Sequence, residues 1–222
     1  MFFVFNKQKI YTYAVSLVTV IVLFFVASNF GQENQKTIET SADNQKLLPI
    51  YNVQTEENKV AFTMNCAWNA DDIDSILETL QKNNTKITFF MVGDWIEKFP
   101  EAVKKIKDAG HEIASHSDTH PHVNNLSSEE NTKEIEKSND KIEKITGNRT
   151  KIYRAPYGEY NNTVIKATRD KGYFCIQWNL DTLDYTGITG DEMWNRLKEK
   201  IKAGDIILSH NGTKHTADSL DM

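Results

Sequence analysis

From about residue 59 to the end of the chain, short β-branched or aromatic runs alternate with longer stretches of helical spacing, and polar residues gather just after the short runs. These observations predict an α/β fold, with βα units wound around a parallel sheet. The 222 residues are enough for one domain with a substantial core once an apolar N-terminal segment is set aside. The formal net charge of −5, with acids and bases interleaved, argues against a surface built for nucleic acid.

No charged residue occurs from Ile10 to Gln32. Residues 10–31 are apolar enough to cross a bilayer core of about 30 Å. Lys7 and Lys9 precede this run, and Glu33, Glu39 and Asp43 follow it. Residues 1–9 are therefore expected in the cytoplasm and the bulk of the chain outside, held to the cell membrane by a single-pass signal-anchor. Val26-Ala27-Ser28 offers the small residues that a signal peptidase accepts, but the length of the run favours an uncleaved anchor. Residues 32–58 are polar and aperiodic apart from Leu47-Leu48-Pro49-Ile50-Tyr51, which reads as a linker ahead of a domain over 59–222.

Six strands are expected: Val60–Met64, Ile87–Val92, Glu112–Ser115, Ile152–Arg154, Tyr173–Trp178 and Asp205–Ser209. A helix follows the first, from about Asp71 to Lys82, with Ile73, Ile76, Leu77 and Leu80 at helical spacing. Another follows the second, with Val103 and Ile106 facing inward. A third opens on a capping box, Ser127 with Glu130 three residues on, and carries Ile135 and Ile142. Cys66 and Cys175 are too few for a disulfide scaffold, and both sit in strand-like apolar runs where buried free thiols are common.

Reactive groups in parallel α/β folds collect at the C-terminal ends of the strands. Here those ends carry Asn65, Cys66 and Trp68; His116, Ser117, Asp118 and His120; Arg154, Pro156, Tyr157 and Gly158; Asp181 and Asp184; and His210 and Asn211. Two histidines four apart, directly after a strand, can turn both imidazoles toward one point, as a tetrahedral ion with Zn–N bonds of about 2.0–2.1 Å requires. His116 and His120 are therefore the candidate metal ligands. His111 and His122 are out of step with the pair and read as surface or supporting residues, and His215 as a bystander.

Four motifs in sequence carry a resemblance: His116-Ser117-x-x-His120-Pro121, Arg154-Ala155-Pro156-Tyr157-Gly158, Asp181-x-x-Asp184-Tyr185 and Leu208-Ser209-His210. They resemble those of the polysaccharide deacetylases, carbohydrate esterases that share the NodB homology domain. Overall likeness is greatest to membrane-anchored, sporulation-associated members of Gram-positive bacteria. The resemblance covers about Lys59 to the last residue. It implies a distorted (β/α) barrel, a divalent metal such as zinc, and hydrolysis of the acetamide of an N-acetylated polysaccharide such as peptidoglycan or chitin. It further implies that the backbone N–H of Tyr157 steadies a tetrahedral oxyanion, and that His210, oriented by Asp184, protonates the departing amine.

The first strand departs from the family pattern. A Thr-Phe-Asp-Asp sequence is usual there, its first aspartate the general base, paired with the arginine matching Arg154, and its second a metal ligand. This chain reads Thr63-Met64-Asn65-Cys66. Cys66 has two readings, a third zinc ligand as thiolate or a small buried hydrophobe. Asn65 cannot accept a proton, and general-base catalysis typically contributes about 10²- to 10⁴-fold. Two functions follow: slow deacetylation, or glycan binding without turnover. Asp71 and Asp72 read as acids at a helix N-terminus. The chain stops at Met222, where the family pattern continues with a further helix and strand, so the expected barrel lacks its last elements.

Overall fold

A computed structural model describes residues 45–222, and Leu47–Met222 form one compact unit. The expected membrane segment and about half of the expected linker lie outside the described residues. Among the latter, no helix is long and apolar enough to cross a membrane.

Among the described residues, seven parallel strands form one sheet: β1 (Ala61–Cys66), β2 (Thr88–Met91), β3 (Glu112–Ser115), β4 (Ile152–Tyr153), β5 (Phe174–Cys175), β6 (Leu180–Asp181) and β7 (Ile206–His210), in the order β5-β4-β3-β2-β1-β7-β6. β1 lies inside the sheet, between β2 and β7. Its register puts Asn65 beside Phe90 on one side and His210 on the other. The pairing of β1 with β7 thus brings the first and last strand-end motifs together, although they are far apart in sequence.

Among the described residues, six helices lie between the strands, α1 (Ile73–Lys82), α2 (Gly93–Lys98), α3 (Pro100–Asp108), α4 (Ser128–Thr146), α5 (Asn162–Asp170) and α6 (Gly190–Leu197), and α7 (Thr216–Ser219) follows β7. α1 buries Ile73, Ile76 and Leu80, the stripe its spacing predicts, and α3 buries Val103 and Ile106. Both halves of the capping box at Ser127 are formed, and α4 ends on Gly147 in the left-handed conformation (φ 77°) that glycine adopts most readily. One core lies between the sheet and α1–α3, built from Met64, Cys66, Ile76, Phe89, Trp95 and Ile106. A second, under α4 and α5, holds Ile135, Tyr153, Val164 and Ile165.

Three features differ from expectation. α2 was not expected; it is six residues long, too short to show a periodicity, and Pro100 at the first turn of α3 separates it from the next helix. The expected strand Tyr173–Trp178 pairs as β5 only over Phe174–Cys175, and β6 follows as a separate strand. The reason is that Ile50 takes over beyond Cys175, pairing with Ile176 and exchanging backbone bonds with Cys175 and Gln177 (2.8 and 2.7 Å). Third, the end of the expected linker is part of the fold: after Ile50, Asn52 pairs with Asp205, and Val53 N–H donates to Gly204 (2.8 Å). Residues 50–53 therefore strap the β5 side of the sheet to the start of β7, and the compact unit begins at Leu47 rather than at 59.

Candidate active site

Asn65, the last site-facing residue of β1, is almost fully buried (4% exposed), as are Arg154 (0%) and His116 (2%). Arg154 follows β4 and turns its guanidinium back under the sheet end. Nη1 donates to Asn65 Oδ1 (2.9 Å), Nη2 to the Gln177 carbonyl (3.1 Å) and Nε to the Ile176 carbonyl (3.4 Å). Its planar face lies 3.8 Å from the Phe90 ring centre. All three acceptors are neutral. Burial without a carboxylate pulls the Arg154 pKa down to about 9.

His116 continues from β3, its N–H donating to Met91 O (2.9 Å). Its Nδ1 lies 2.9 Å from the Arg154 carbonyl. A carbonyl only accepts, so Nδ1 carries the proton and Nε2 is bare. Nε2 faces the Asn65 amide nitrogen at 3.2 Å. Burial, then the neighbouring His120, holds the His116 pKa well below the usual imidazole range, and burial lowers His120 too. The two rings meet edge to face, 4.9 Å apart. To bring them together, the loop between them places Ser117 and His120 at positive φ (67° and 58°).

Several groups hold this loop. The first N–H groups of α2, from Gly93 and Asp94, donate to the Ser117 and Asp118 carbonyls (2.9 Å each). Glu134 of α4 accepts from Asp118 N, Thr119 N and the Thr119 hydroxyl (2.9, 2.8 and 3.1 Å). Lys141 of α4 pairs with the buried Asp118 carboxylate at 2.6 Å. Gly93 cannot carry a side chain, because a Cβ there would sit 2.2 Å from Asp118 Oδ1.

Across the mouth, His210 Nδ1 lies 2.8 Å from Asp184 Oδ1. Asp184 is 1% exposed and also accepts from His210 N, Tyr185 N and the Thr216 hydroxyl (2.6, 2.9 and 2.7 Å). So many donors fix a carboxylate that turns the imidazole's other nitrogen toward the opening. Trp68 stacks on His210 (ring centres 5.4 Å, 27°), and Tyr185 meets it edge-on at 5.3 Å. Tyr157, itself at φ 57°, completes the far wall with His120 against its ring at 4.6 Å. Asn65, Trp68, His116, His120, Trp178 and His210 are among the residues lining a cavity of about 620 Å³.

The structure thus brings Asn65, His116, His120, Arg154, Tyr157, Asp184 and His210 into one site. Cys66 is not part of it, which corrects its assignment as a metal ligand. Strand side chains alternate, so with Asn65 at the mouth, Met64 and Cys66 point into the core beside Ile73 and Ile76. Burial pushes the Cys66 thiol well above its ordinary pKa, away from the thiolate that binds metals. Among the described residues, no group of three His, Cys, Asp or Glu side chains is placed to hold a metal ion. Two imidazole nitrogens, one of them engaged by an amide, do not fit a tightly held resident ion as the family pattern would have it.

Asp181 is a turn residue, accepting from Leu183 N (2.8 Å). Asp72 accepts from Gly212 N (2.7 Å) and Asn211 Nδ2 (3.1 Å), tying the β7 loop to α1. His111 is buried rather than on the surface, its Nδ1 accepting from Ile87 N (3.2 Å). His122 is exposed and stacks on Tyr157 at 4.3 Å. Cys66 and Cys175 are free thiols. The support given by Glu134 and Thr216 was not visible in the sequence, since an acid within an acidic helix and a threonine near the chain end carry no local signal.

A model of the family described as Polysaccharide deacetylase matches residues 52–176, more than half of the chain. The chain is 34% identical over 173 residues to the uncharacterized protein YlxY of Bacillus subtilis, covering 78% of this chain and 54% of that protein. It is 31% identical over 153 residues to a peptidoglycan-N-acetylglucosamine deacetylase of Bacillus cereus, covering 69% of this chain and 56% of the relative. It thus spans about half the length of the curated relatives it matches. Among solved structures, BA3943 of Bacillus anthracis, described as a CE4 family pseudoenzyme, has a TM-score of 0.75 at 34% identity, covering 78% of this chain and 62% of that one. A mutant of BA3943 is described as having restored enzymatic activity. The curled parallel sheet with outer helices is the distorted (β/α) barrel of these solved relatives. Sequence, fold and the order of the strand-end motifs agree: this chain belongs to the polysaccharide deacetylase family.

Proposed function

We propose that this domain hydrolyses the N-acetyl group of amino sugars in a cell-wall polysaccharide, peptidoglycan foremost, in envelope remodelling of the kind that accompanies sporulation. The observation that carries this reading is the His210–Asp184 dyad, aimed across one aromatic-lined mouth at His116, His120 and Tyr157. The deacetylase relatives support it. Trp68, Tyr157, Trp178 and Tyr185 give the apolar faces on which a sugar ring packs. Hydrolysis adds water across the acetamide to release acetate and a free amine. Asp184 holds His210 so that its outward nitrogen delivers the proton that the departing amine needs. Deacetylases of this family generally depend on a metal; here we propose that zinc binds weakly through His116 and His120. Asn65 cannot take a proton from the attacking water, and turnover is correspondingly slow.

A second reading, glycan binding without turnover, is favoured by that same neutral Asn65 and by the likeness to a pseudoenzyme. Acetate release from N-acetylglucosamine oligomers and from peptidoglycan separates the two. The enzyme reading expects slow release that a chelator stops and His210→Ala abolishes; binding of the oligomers with no release establishes the second reading. We further propose that residues 10–31 anchor the chain with this domain outside the cell. Protease added to intact cells is then expected to digest the domain, and its full protection would refute the anchor's orientation.

A further inference from the structure

We propose that Asn65 is a latch on His116: its side-chain amide occupies the imidazole lone pair that a metal ion needs, and so keeps the histidine pair in a closed form of low metal affinity. This rests on the reading of His116 and His120 as the metal pair, but not on whether the domain turns over substrate.

Three hydrogen bonds make a closed ring. Arg154 Nη1 donates to Asn65 Oδ1 (2.9 Å), Asn65 Nδ2 donates to His116 Nε2 (3.2 Å), and His116 Nδ1 donates to the Arg154 carbonyl (2.9 Å). Chemistry fixes every direction. The guanidinium only donates, so the amide oxygen of Asn65 must face it and the NH₂ must face His116. The backbone carbonyl only accepts, so Nδ1 is protonated and Nε2 offers a lone pair to the amide. The ring is buried throughout, where water cannot easily replace a partner that leaves. An ion binding at Nε2 must therefore break the amide contact and leave a buried N–H without an acceptor.

An aspartate at this position would behave oppositely. Its carboxylate accepts from Arg154 but donates nothing, so Nε2 is released, and an oxygen donor comes within reach of the same point. The single change from carboxylate to amide thus removes a donor group and blocks another.

The test is zinc binding alone, by competition with a chromogenic chelator, on the full chain in detergent, comparing the natural protein with Asn65→Ala, Asn65→Asp and His116→Ala. Asn65→Ala adds no ligand, yet the latch requires it to bind zinc more tightly, by roughly tenfold, the worth of one hydrogen bond. Asn65→Asp is expected to bind tighter still, and His116→Ala to lose the site. Natural protein that binds zinc as tightly as Asn65→Ala, or more tightly, overturns the proposal. Should Asn65→Ala not fold, the natural protein decides: its Asn65 side-chain amide protons, read by NMR, are expected to exchange slowly and to shift when zinc is added. Exchange as fast as that of an exposed asparagine would likewise overturn it.

Discussion

A guanidinium with no exposed surface and no carboxylate partner carries an uncompensated cost. Arg154 is in that position: its partners are an amide oxygen, two carbonyls and the faces of Phe90 and Trp178, and burial brings its pKa down to about 9. A charge-assisted bond is worth about 1.5–3 kcal/mol, more than a neutral one. Asn65→Asp should therefore stabilise the fold, by about 1–2 kcal/mol, and raise the midpoint of thermal unfolding near neutral pH. A lower midpoint would mean that the Arg154 charge is already met by something else. At this scale most of the site was legible, because His116, Arg154 and His210 stand at the C-terminal ends of strands and His120, Tyr157 and Asp184 within a few residues of one. The error at Cys66 was one of parity. Met64, plainly a core residue, shares its face of β1 with Cys66, so assigning Asn65 to the mouth already assigns Cys66 to the core.

The loop that carries the histidine pair is held by whole elements rather than by its own sequence. Two non-glycine residues at positive φ are a strained arrangement that surrounding structure must over-determine, and the N-terminus of α2 and one face of α4 do so. Glu134→Ala removes three acceptor contacts at once and is expected to cost about 1–3 kcal/mol. Hydrogen exchange at Asp118 and Thr119 should accelerate, while Glu134→Gln keeps part of the protection; unchanged exchange in Glu134→Ala would show that α2 holds the loop unaided. α2 itself escaped sequence reading because one and a half turns show no period. At the opposite end of the sheet, His111 accepts from the start of β2, and its pKa is lowered, by burial first and then by Lys86. The unfolded chain therefore binds its proton first. The stability that His111 contributes is full above the usual 6.5 and is lost as pH falls toward the lower folded value. His111→Gln retains an acceptor that does not titrate, so its unfolding midpoint should fall less between about pH 7.5 and 5.5. The slope is expected to diminish rather than vanish, because His116 and His120 titrate in the same sense.

For the molecule as a whole, alternation of strand and helix revealed the architecture, because each unit writes its own period into the sequence. What it could not reveal was which distant pieces meet. The strap at residues 50–53 shows no periodicity of its own and is defined only by Ile176, Asp205 and Gly204, far along the chain. The same long-range assembly creates the site: β1 and β7 are neighbours in register, so Asn65 at the end of β1 stands beside His210 at the end of β7, which Asp184 orients from the turn after β6. The framework is thus that of the deacetylase family, and under the proposed enzyme reading one side-chain atom, nitrogen for oxygen at position 65, sets its rate. The most direct measurement is acetate release from N-acetylglucosamine oligomers by the natural protein and by Asn65→Asp, side by side with zinc present. A gain of about 10²- to 10⁴-fold in the variant is expected, the range that a restored general base supplies. Equal rates in the two proteins would contradict this assignment of Asn65.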